Sequence, residues 1–278
     1  MAYTAEISRS NPACIIFLVD RSGSMSGAIG GDIPQPKAEV VADAINRLLY
    51  ELTIKCAKES GVRDYFQVAV IGYGQSVGSA FSGKLADRDL VPLSQIADNP
   101  ARVDQRIKKV PDGAGGLVDT AAGFPVWLEP VADGGTPMNR ALQYAKNLVA
   151  SWVEEYPGSF PPIVLNLTDG ASTDGDPADS AHSICTHTTA DGAALLFNLH
   201  VSATDGQPVT FPNSDAALPD SYSRLLYAMS SQLPGHMRSY ATSLGHRVSD
   251  ETRGFVYNAD ISAVVQFLDI GTRSTDLR

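Results

Sequence analysis

Short, continuously apolar runs recur along the chain, and each of them ends in polar or glycine residues. Runs of this kind, rich in β-branched side chains, are typical of strands that are buried on both faces of a parallel sheet. Four of them are CIIFLVD, YFQVAVIGYG, PPIVLNLTDG and AALLFNLHVSATD, and GFVYNAD is a candidate last strand. The pattern therefore predicts a central sheet of mainly parallel strands.

Helical patterns lie between these runs. Apolar residues recur at helical spacing over Pro36 to Ser60, over Pro137 to Tyr156 and in a final segment from about Ile261. Alternating strands and amphipathic helices predict an α/β fold, doubly wound, with helices on both faces of the sheet. The Gly72-x-Gly74 pair lacks the third glycine of a dinucleotide-binding loop, so we expect a tight turn toward one antiparallel edge strand.

Two long connections interrupt this alternation. With 278 residues, the chain is expected to form a single domain, residues 1–278, with insertions at about 83–135 and 204–245. In the first insertion we predict a short helix around Pro100 to Lys109, a flexible turn at Asp112 to Gly116 and an ordered GFPVWLEPV segment. In the second, SYSRLLYAMSSQL predicts a helix. Long connections within compact domains are usually functional or disordered.

The charge of the chain argues against some partners. A formal net charge of −10 disfavours a nucleic-acid or anionic-membrane surface, because phosphate binding needs clustered Lys and Arg. No apolar stretch reaches the length of a membrane span, and the N-terminal segment does not have the pattern of a secretory signal. Three scattered cysteines, Cys14, Cys56 and Cys185, fit reduced thiols better than disulfides. We therefore expect a cytoplasmic protein without a nucleic-acid or membrane partner.

Hydroxyl and carboxyl side chains follow two of the predicted strands. Asp20, Ser22 and Ser24 come directly after CIIFLV, and Asp169 follows LNLT. Thr136 precedes a proline, which is the preferred order of an N-cap residue and a first helical residue, so a purely capping role for Thr136 stays open. Ligands of open α/β sheets bind at the carboxyl ends of the strands. We therefore expect these side chains to converge on one rim.

The five positions, in this order, resemble the metal-ion-dependent adhesion site of the von Willebrand factor A domain family. The resemblance implies a Mg²⁺ site, with Mn²⁺ or Ca²⁺ as alternatives. It implies that Ser22, Ser24 and Thr136 ligate the ion directly and that Asp20 and Asp169 act wholly or partly through water. It also implies a partner protein that supplies a Glu or Asp carboxylate. Mg²⁺ prefers oxygen ligands, and neutral hydroxyls leave much of its charge uncompensated.

The resemblance implies a non-enzymatic protein-binding module. The strings DRSGSM, GGTPM and LTDG look most like bacterial cytosolic members associated with tellurium resistance and stress, which implies an adaptor beside kinases, phosphatases or ATPases. The alternative is a metal-dependent phosphoryl-transfer or hydrolytic enzyme that uses the same oxygen cluster, with Asp174 or Asp176 as a base. Because the first insertion ends immediately before Thr136, we expect it to fold over the metal rim and to select the partner.

Other chemistry has weaker support. The serine-rich turn has Met25 where a nucleophile elbow needs its serine. Ser22 stands where a hydrolase of the haloacid dehalogenase type would have its second aspartate. His182, Cys185 and His187 lie close together, but the sequence offers no second Cys/His group to complete a zinc site.

Overall fold

An eight-stranded sheet forms the centre of the computed structural model, which describes residues 3–29, 34–111, 116–201 and 208–272. Two further long strands form a separate hairpin. In chain order the strands are β1 (Ala13–Asp20), β2 (Phe66–Tyr73), β3 (Val77–Ser79), β4 (Val91–Pro92), β5 (Arg102–Pro111), β6 (Leu117–Val126), β7 (Ile163–Thr168), β8 (Leu195–Val201), β9 (Val209–Thr210) and β10 (Phe255–Ala259). Short ladders pair Ala28–Ile29 with Gln35–Pro36, Ala57–Lys58 with Gly61–Val62, and Thr188–Thr189 with Gly192–Ala193.

The five central strands run parallel, in the order β10, β8, β7, β1 and β2. Antiparallel strands close both edges, because β9 pairs with β10, and β3 and β4 pair with β2. The predicted α/β fold with a mainly parallel sheet is confirmed, and antiparallel strands occur at both edges rather than at one. The additional edge strand β9 has only two residues, which is too few to produce a recognisable sequence pattern.

Helices cover both faces of the sheet. Ile15 and Phe17 of β1 face a core that includes residues of α1 and α7, whereas Cys14 and Ile16 face α3, α4 and α5. Successive side chains of a strand point to opposite faces, so β1 has two apolar faces, as predicted. In chain order the helices are α1 (Lys37–Lys55), α2 (Leu93–Asp98), α3 (Met138–Glu155), α4 (Ala178–Cys185), α5 (Ser221–Met229), α6 (Gly235–Ser243) and α7 (Ile261–Gly271).

The first insertion is built around a β-hairpin. Strands β5 and β6 pair antiparallel along their whole length, so the short helix predicted around Pro100 to Lys109 is wrong. Val103 and Ile107 are spaced as on one face of a helix, but β6 offers β5 a continuous set of hydrogen-bond partners, and that long-range pairing decides the conformation. The GFPVWLEPV segment is ordered as predicted, with Trp127 and Leu128 buried.

Asn46 of α1 anchors the end of this hairpin. Its Oδ1 accepts the backbone N–H groups of Trp127 and Leu128 over 2.9 and 3.0 Å, and its Nδ2 donates to the carbonyl oxygen of Leu128 over 2.9 Å. Further along the hairpin, Arg106 forms a salt bridge with Asp43 of α1. These hydrogen bonds and this salt bridge therefore hold the hairpin of the first insertion against α1.

The second insertion contains the predicted helix, α5. Its N-terminus is a capping box, in which the Asp220 carboxylate accepts the backbone N–H of Ser223 over 2.7 Å. Of the turn predicted at Asp112 to Gly116, the described residues include Gly116 alone. Thr204, the predicted start of the second insertion, lies outside the described residues. Within those residues, every helix is too short or too polar to cross a bilayer, and the three cysteines are free thiols.

A row of buried polar side chains crosses the sheet. The Tyr73 hydroxyl donates to Asn166 Oδ1 over 2.7 Å, Asn166 Nδ2 donates to Asn198 Oδ1 over 2.9 Å, and Asn198 Nδ2 donates to Ser230 Oγ over 3.0 Å. All four residues are buried. The row links β2, β7 and β8 to the residue that ends α5, and its mutual hydrogen bonds offset the cost of burying polar groups.

Candidate functional site

The carboxyl ends of two neighbouring strands carry the two aspartates of the motif. Asp20 is the last residue of β1, and Asp169 directly follows β7. Because β1 and β7 pair in parallel, both carboxylates reach the same edge of the sheet. Ser22 and Ser24 lie in the turn after β1, where Gly23–Ser26 forms a 3₁₀ helix. The structure thus brings four of the five residues to one edge.

Hydrogen bonds connect three of these side chains. Ser22 Oγ and Ser24 Oγ lie 3.0 Å apart, and Ser24 Oγ donates to Asp169 Oδ1 over 2.7 Å. Ser22 and the carboxylate of Asp169 are buried, whereas Ser24 is exposed. The oxygen atoms therefore form a close group that solvent reaches at Ser24.

Asp20 is the most deeply buried residue of the group, with 1% of its surface exposed. Its carboxylate accepts hydrogen bonds from the backbone N–H of Ser22 and from the Thr168 hydroxyl, both over 2.8 Å. Burial raises the pKa of Asp20 above its ordinary value, although these hydrogen bonds favour the charged form. A divalent cation close by would favour ionisation.

Lys37 also belongs to the site, although the motif does not include it. Its ammonium group donates to Asp169 Oδ2 over 2.8 Å. Lys37 is the first residue of α1, and its backbone N–H donates to the carbonyl oxygen of Gly27 over 2.9 Å. This bond fixes Lys37 against the turn that carries the serines. A single lysine forms no motif with the residues around it, so the sequence pattern does not point to it.

Thr136 lies at the same edge, two residues before α3. Its backbone N–H donates to Thr173 Oγ1 over 3.0 Å, and its carbonyl oxygen accepts the Thr173 N–H over 2.9 Å. A Cβ atom placed on Gly170 would lie 3.9 Å from Thr136 Oγ1, so the hydroxyl is next to the residue that follows Asp169. The described hydrogen bonds of Thr136 involve its backbone, which leaves the hydroxyl available as a ligand.

Asp174 fills the capping role that was left open for Thr136. Its two carboxylate oxygens accept the backbone N–H groups of Asn139 and Arg140, each over 3.0 Å. Burial opposes the charge of Asp174, but the hydrogen bonds from Arg140 and Asn139 outweigh burial and lower the pKa of this carboxyl. Asp174 is 35 residues away from Asn139, so local sequence does not reveal this cap.

The last residues of the first insertion pass directly beside the site. The carbonyl oxygen of Gly134 accepts the Gly23 N–H over 3.0 Å, and the Asp133 N–H donates to the carbonyl oxygen of Arg21 over 2.6 Å. Gly134 has a φ of 85°, and a Cβ there would lie 2.4 Å from the backbone nitrogen of Gln75, so glycine is required. The first insertion was expected to fold over the rim. Its last residues do lie beside the site, whereas its hairpin lies along α1.

An aromatic group flanks the site on the β8 side. His200 is the register partner of Thr168, stacks on Tyr257 with ring centroids 4.8 Å apart, and meets Tyr222 edge-on at 5.9 Å. Burial lowers the pKa of His200 to about 4, so its ring is neutral at pH 7. Tyr222 and Tyr257 reach this position from α5 and β10, and the spacing of the motif gives no sign of them.

The oxygen group fits a hard divalent cation. Carboxylates and hydroxyls are oxygen donors of the kind that Mg²⁺, Mn²⁺ and Ca²⁺ accept. In the described ranges, no three or more His, Cys, Asp or Glu side chains form a cluster that could hold a metal. His182, Cys185 and His187, the residues of the zinc alternative, are among the described residues and form no such cluster. The proposed set differs in kind, because only two of its members are carboxylates and three are hydroxyls.

Comparisons with known proteins give structural likenesses alone. No protein-family model matches the chain, and no curated protein does. Similar solved structures include proximal thread matrix protein 1 from the mussel byssus, with 16% identity and a TM-score of 0.47 over 97% of this chain and 49% of that one. Others are von Willebrand factor type A from Catenulispora acidiphila, with 18% identity and a TM-score of 0.36 over 68% of this chain and 33% of that one, and the manganese-loaded TRAP protein of Plasmodium vivax, with 11% identity and a TM-score of 0.43 over 93% and 72%.

The chain spans about half the length of the mussel protein and a third of the Catenulispora protein. Identities and TM-scores of this size carry no conclusion about ligands or partners. The chemistry of the site therefore follows from the residues at the carboxyl edge of the sheet.

Proposed function

We propose that the chain is a non-enzymatic binding module of the von Willebrand factor A type. Asp20, Ser22, Ser24, Thr136 and Asp169 hold a divalent cation, Mg²⁺ or alternatively Mn²⁺ or Ca²⁺, at the carboxyl edge of the sheet. A Glu or Asp carboxylate of a partner protein serves as a further ligand.

The convergence of oxygen-bearing side chains from distant parts of the chain supports this proposal. Ser24 and Asp169 are 145 residues apart, yet their side chains are joined by a hydrogen bond. Thr136 arrives from a third segment with its hydroxyl available. Because the hydroxyl donors are neutral, a bound divalent cation keeps enough charge to attract an anion.

The side chains have distinct tasks in this proposal. The hydroxyls of Ser22, Ser24 and Thr136 supply neutral oxygen donors. Asp20, which is held by the Ser22 N–H and the Thr168 hydroxyl, supplies a carboxylate of fixed orientation. When bound, the cation supplies a Lewis acid for the carboxylate of the partner.

Metal titration tests the site. We expect the wild-type chain to bind Mn²⁺ and Ser22→Ala to bind it at least about tenfold more weakly. Ser151→Ala is the matched control, because Ser151 is exposed on α3, about 20 Å along the helix from its start. Equal Mn²⁺ affinity in all three proteins would contradict the proposed site.

Partner capture tests the second half of the proposal. The wild-type chain, immobilised in Mg²⁺, should recover a partner from native lysate and release it in EDTA. Ser22→Ala should recover less of it, and Ser151→Ala should behave like the wild type. Recovery that is the same in Mg²⁺ and EDTA would contradict a metal-mediated contact.

The enzymatic alternative, a metal-dependent phosphoryl transferase or hydrolase, needs a base near the ion. Both candidate bases are engaged at helix starts, since Asp174 caps α3 and Asp176 accepts the Ala178 N–H over 2.9 Å at the start of α4. Turnover of a generic phosphoester that is lost in Asp20→Ala would nevertheless overturn the non-enzymatic proposal.

The cellular setting is a narrower proposal. It is supported by the resemblance of DRSGSM, GGTPM and LTDG to bacterial cytosolic members of the family that are associated with tellurium resistance and stress. In it the chain is a cytoplasmic adaptor beside a kinase, phosphatase or ATPase of a bacterial stress system. The last residues of the first insertion lie beside Gly23, and in this proposal they contact the partner. Identification of the captured proteins tests this, and a captured set without any of the three classes would contradict it.

A further inference from the structure

Lys37 places a fixed positive charge inside the proposed metal site. Its Nζ lies 2.8 Å from Asp169 Oδ2, while Ser24 Oγ donates to the other oxygen of the same carboxylate over 2.7 Å. The side chain of Lys37 is 11% exposed and that of Asp169 is 0% exposed. A Cβ on Gly27 would lie 3.6 Å from Lys37 Nζ, so the ammonium also packs against the turn that follows β1. The charge is therefore shielded from solvent and belongs to the site itself.

The charge balance of the site follows from these contacts. Ionised Asp20 and Asp169 carry two negative charges, and Lys37 neutralises one of them. A divalent cation would then make the site positive by one charge, whereas without Lys37 the same loaded site would be neutral. Lys37 thus repels the incoming cation and, once the cation is bound, attracts an incoming carboxylate.

We propose that Lys37 makes retention of the metal depend on the carboxylate of the partner. The ammonium weakens binding of the cation alone and strengthens binding of a carboxylate to the loaded site. By linkage, the carboxylate raises the affinity for the metal by the same factor by which the metal raises the affinity for the carboxylate. This inference rests on the function proposed above, and it adds Lys37 as the residue that couples the two ligands.

Variants at Lys37 separate charge from packing. Lys37→Met removes the charge and keeps an unbranched side chain that is one atom shorter, and Lys37→Gln, similar in length to Met, also keeps a hydrogen-bond donor for Asp169. Lys37→Arg keeps the charge. Lys55→Met is the matched control, because Lys55 is exposed at the opposite end of α1 and its loss changes the net charge equally. The full chain is used in every case, and circular dichroism checks that each variant is folded.

The readout is free Mn²⁺, measured by electron paramagnetic resonance with and without acetate as the carboxylate probe. We expect Lys37→Met and Lys37→Gln to bind Mn²⁺ about tenfold more tightly than the wild type, the order of magnitude for one charge repelling a divalent ion across hydrated protein. Lys37→Arg and Lys55→Met should match the wild type. Acetate should tighten Mn²⁺ binding in these three proteins and have a smaller effect in Lys37→Met and Lys37→Gln, where the carboxylate still ligates the metal but no longer meets the ammonium.

The possible failures are distinguishable. Mn²⁺ binding that is unchanged or weaker in the folded Lys37→Met and Lys37→Gln proteins overturns the role of Lys37 and leaves the metal site standing, and so does an acetate effect that is equal in all variants. A wild-type chain that binds Mn²⁺ no better than Ser22→Ala overturns the proposed function and this inference with it. If Lys37→Met does not fold, Lys37→Gln decides, because it keeps a donor for the buried carboxylate.

Discussion

The hydroxyl of Thr168 donates a hydrogen bond of 2.8 Å to the carboxylate of Asp20. The two residues end neighbouring parallel strands, β7 and β1, and both are buried. Ser22 donates to the other oxygen of the same carboxylate through its backbone N–H. The carboxylate of Asp20 is therefore held by one hydrogen bond at each of its two oxygens.

Thr168→Val keeps the shape of the side chain and removes the donor. We expect Mn²⁺ affinity to fall by about tenfold, because partners that orient a metal-binding carboxylate typically contribute about tenfold or more to metal affinity. Mn²⁺ titration measures this, with Thr242→Val, exposed on α6, as the isosteric control. Equal affinity in Thr168→Val and the wild type would mean that Asp20 keeps its orientation without this bond.

Asp174→Ala should destabilise the protein by about 1–2 kcal/mol, because it removes the cap from α3. Urea unfolding measures the difference. Glu154→Ala, exposed near the opposite end of the same helix, makes the same change of charge and should cost little. An Asp174→Ala protein as stable as Glu154→Ala would show that the two hydrogen bonds to Asn139 and Arg140 contribute nothing net.

The contribution of Asp174 should also depend on pH in a defined direction. Its pKa is lowered in the folded protein, so its stabilising effect is complete above the ordinary aspartate pKa of about 3.9 and is lost as pH falls through the lowered value. The stabilities of the wild type and Asp174→Ala should therefore converge in strong acid. A difference that stays constant down to the lowest pH at which the protein folds would contradict the charged cap.

His200 should make the metal-free protein sensitive to mild acid. Its folded pKa of about 4 lies below the ordinary value of about 6.5, so between these values the unfolded chain binds a proton that the folded protein does not. Stability is complete above about pH 6.5 and falls toward pH 4, by up to about 3 kcal/mol from this group.

Urea unfolding in EDTA across this pH range measures the effect of His200. His200→Phe keeps a ring against Tyr257 and should lose less stability toward pH 4 than the wild type. His182→Gln changes an exposed histidine on α4 and should follow the wild type. Parallel curves for the wild type and His200→Phe would contradict a neutral, buried His200.

Asn46→Leu should destabilise the attachment of the first insertion. Its three hydrogen bonds to Trp127 and Leu128 are buried, and leucine would leave those backbone groups without partners, at a cost of about 3 kcal/mol. Urea unfolding and limited proteolysis of the hairpin measure the change, with Asn147→Leu, exposed on α3, as the control. A hairpin equally resistant to protease in both variants would show that other contacts hold it.

The strands and helices that the sequence predicts are those with strong local patterns. The apolar runs that became β1, β2, β7 and β8 are buried along almost their whole length, and the stripes of α1 and α3 have clear helical spacing. Because parallel strands deliver their carboxyl ends to one edge, the meeting of Asp20 and Asp169 also follows from the pattern.

Features that depend on distant partners are not visible in local patterns. The hairpin of β5 and β6 replaces a predicted helix because cross-strand hydrogen bonds outweigh a helical spacing of two apolar residues. Lys37, Asp174 and His200 are common residue types at unremarkable positions, and their roles arise from contacts across the fold. The five metal-binding assignments stay predictions until the metal titration is done.

The buried row of hydrogen bonds from Tyr73 to Ser230 also favours one register of the strands that it joins. Apolar strands such as β7 and β8 could shift by two residues relative to each other and still present apolar faces to both layers of helices. Such a shift would separate Asn166 from Asn198 and leave amide groups without partners in the interior, each costing about 1–3 kcal/mol. One alignment of β7 with its neighbour β8 is thereby preferred, and because Asp169 directly follows β7, its position at the rim depends on amide groups that lie outside the proposed metal site.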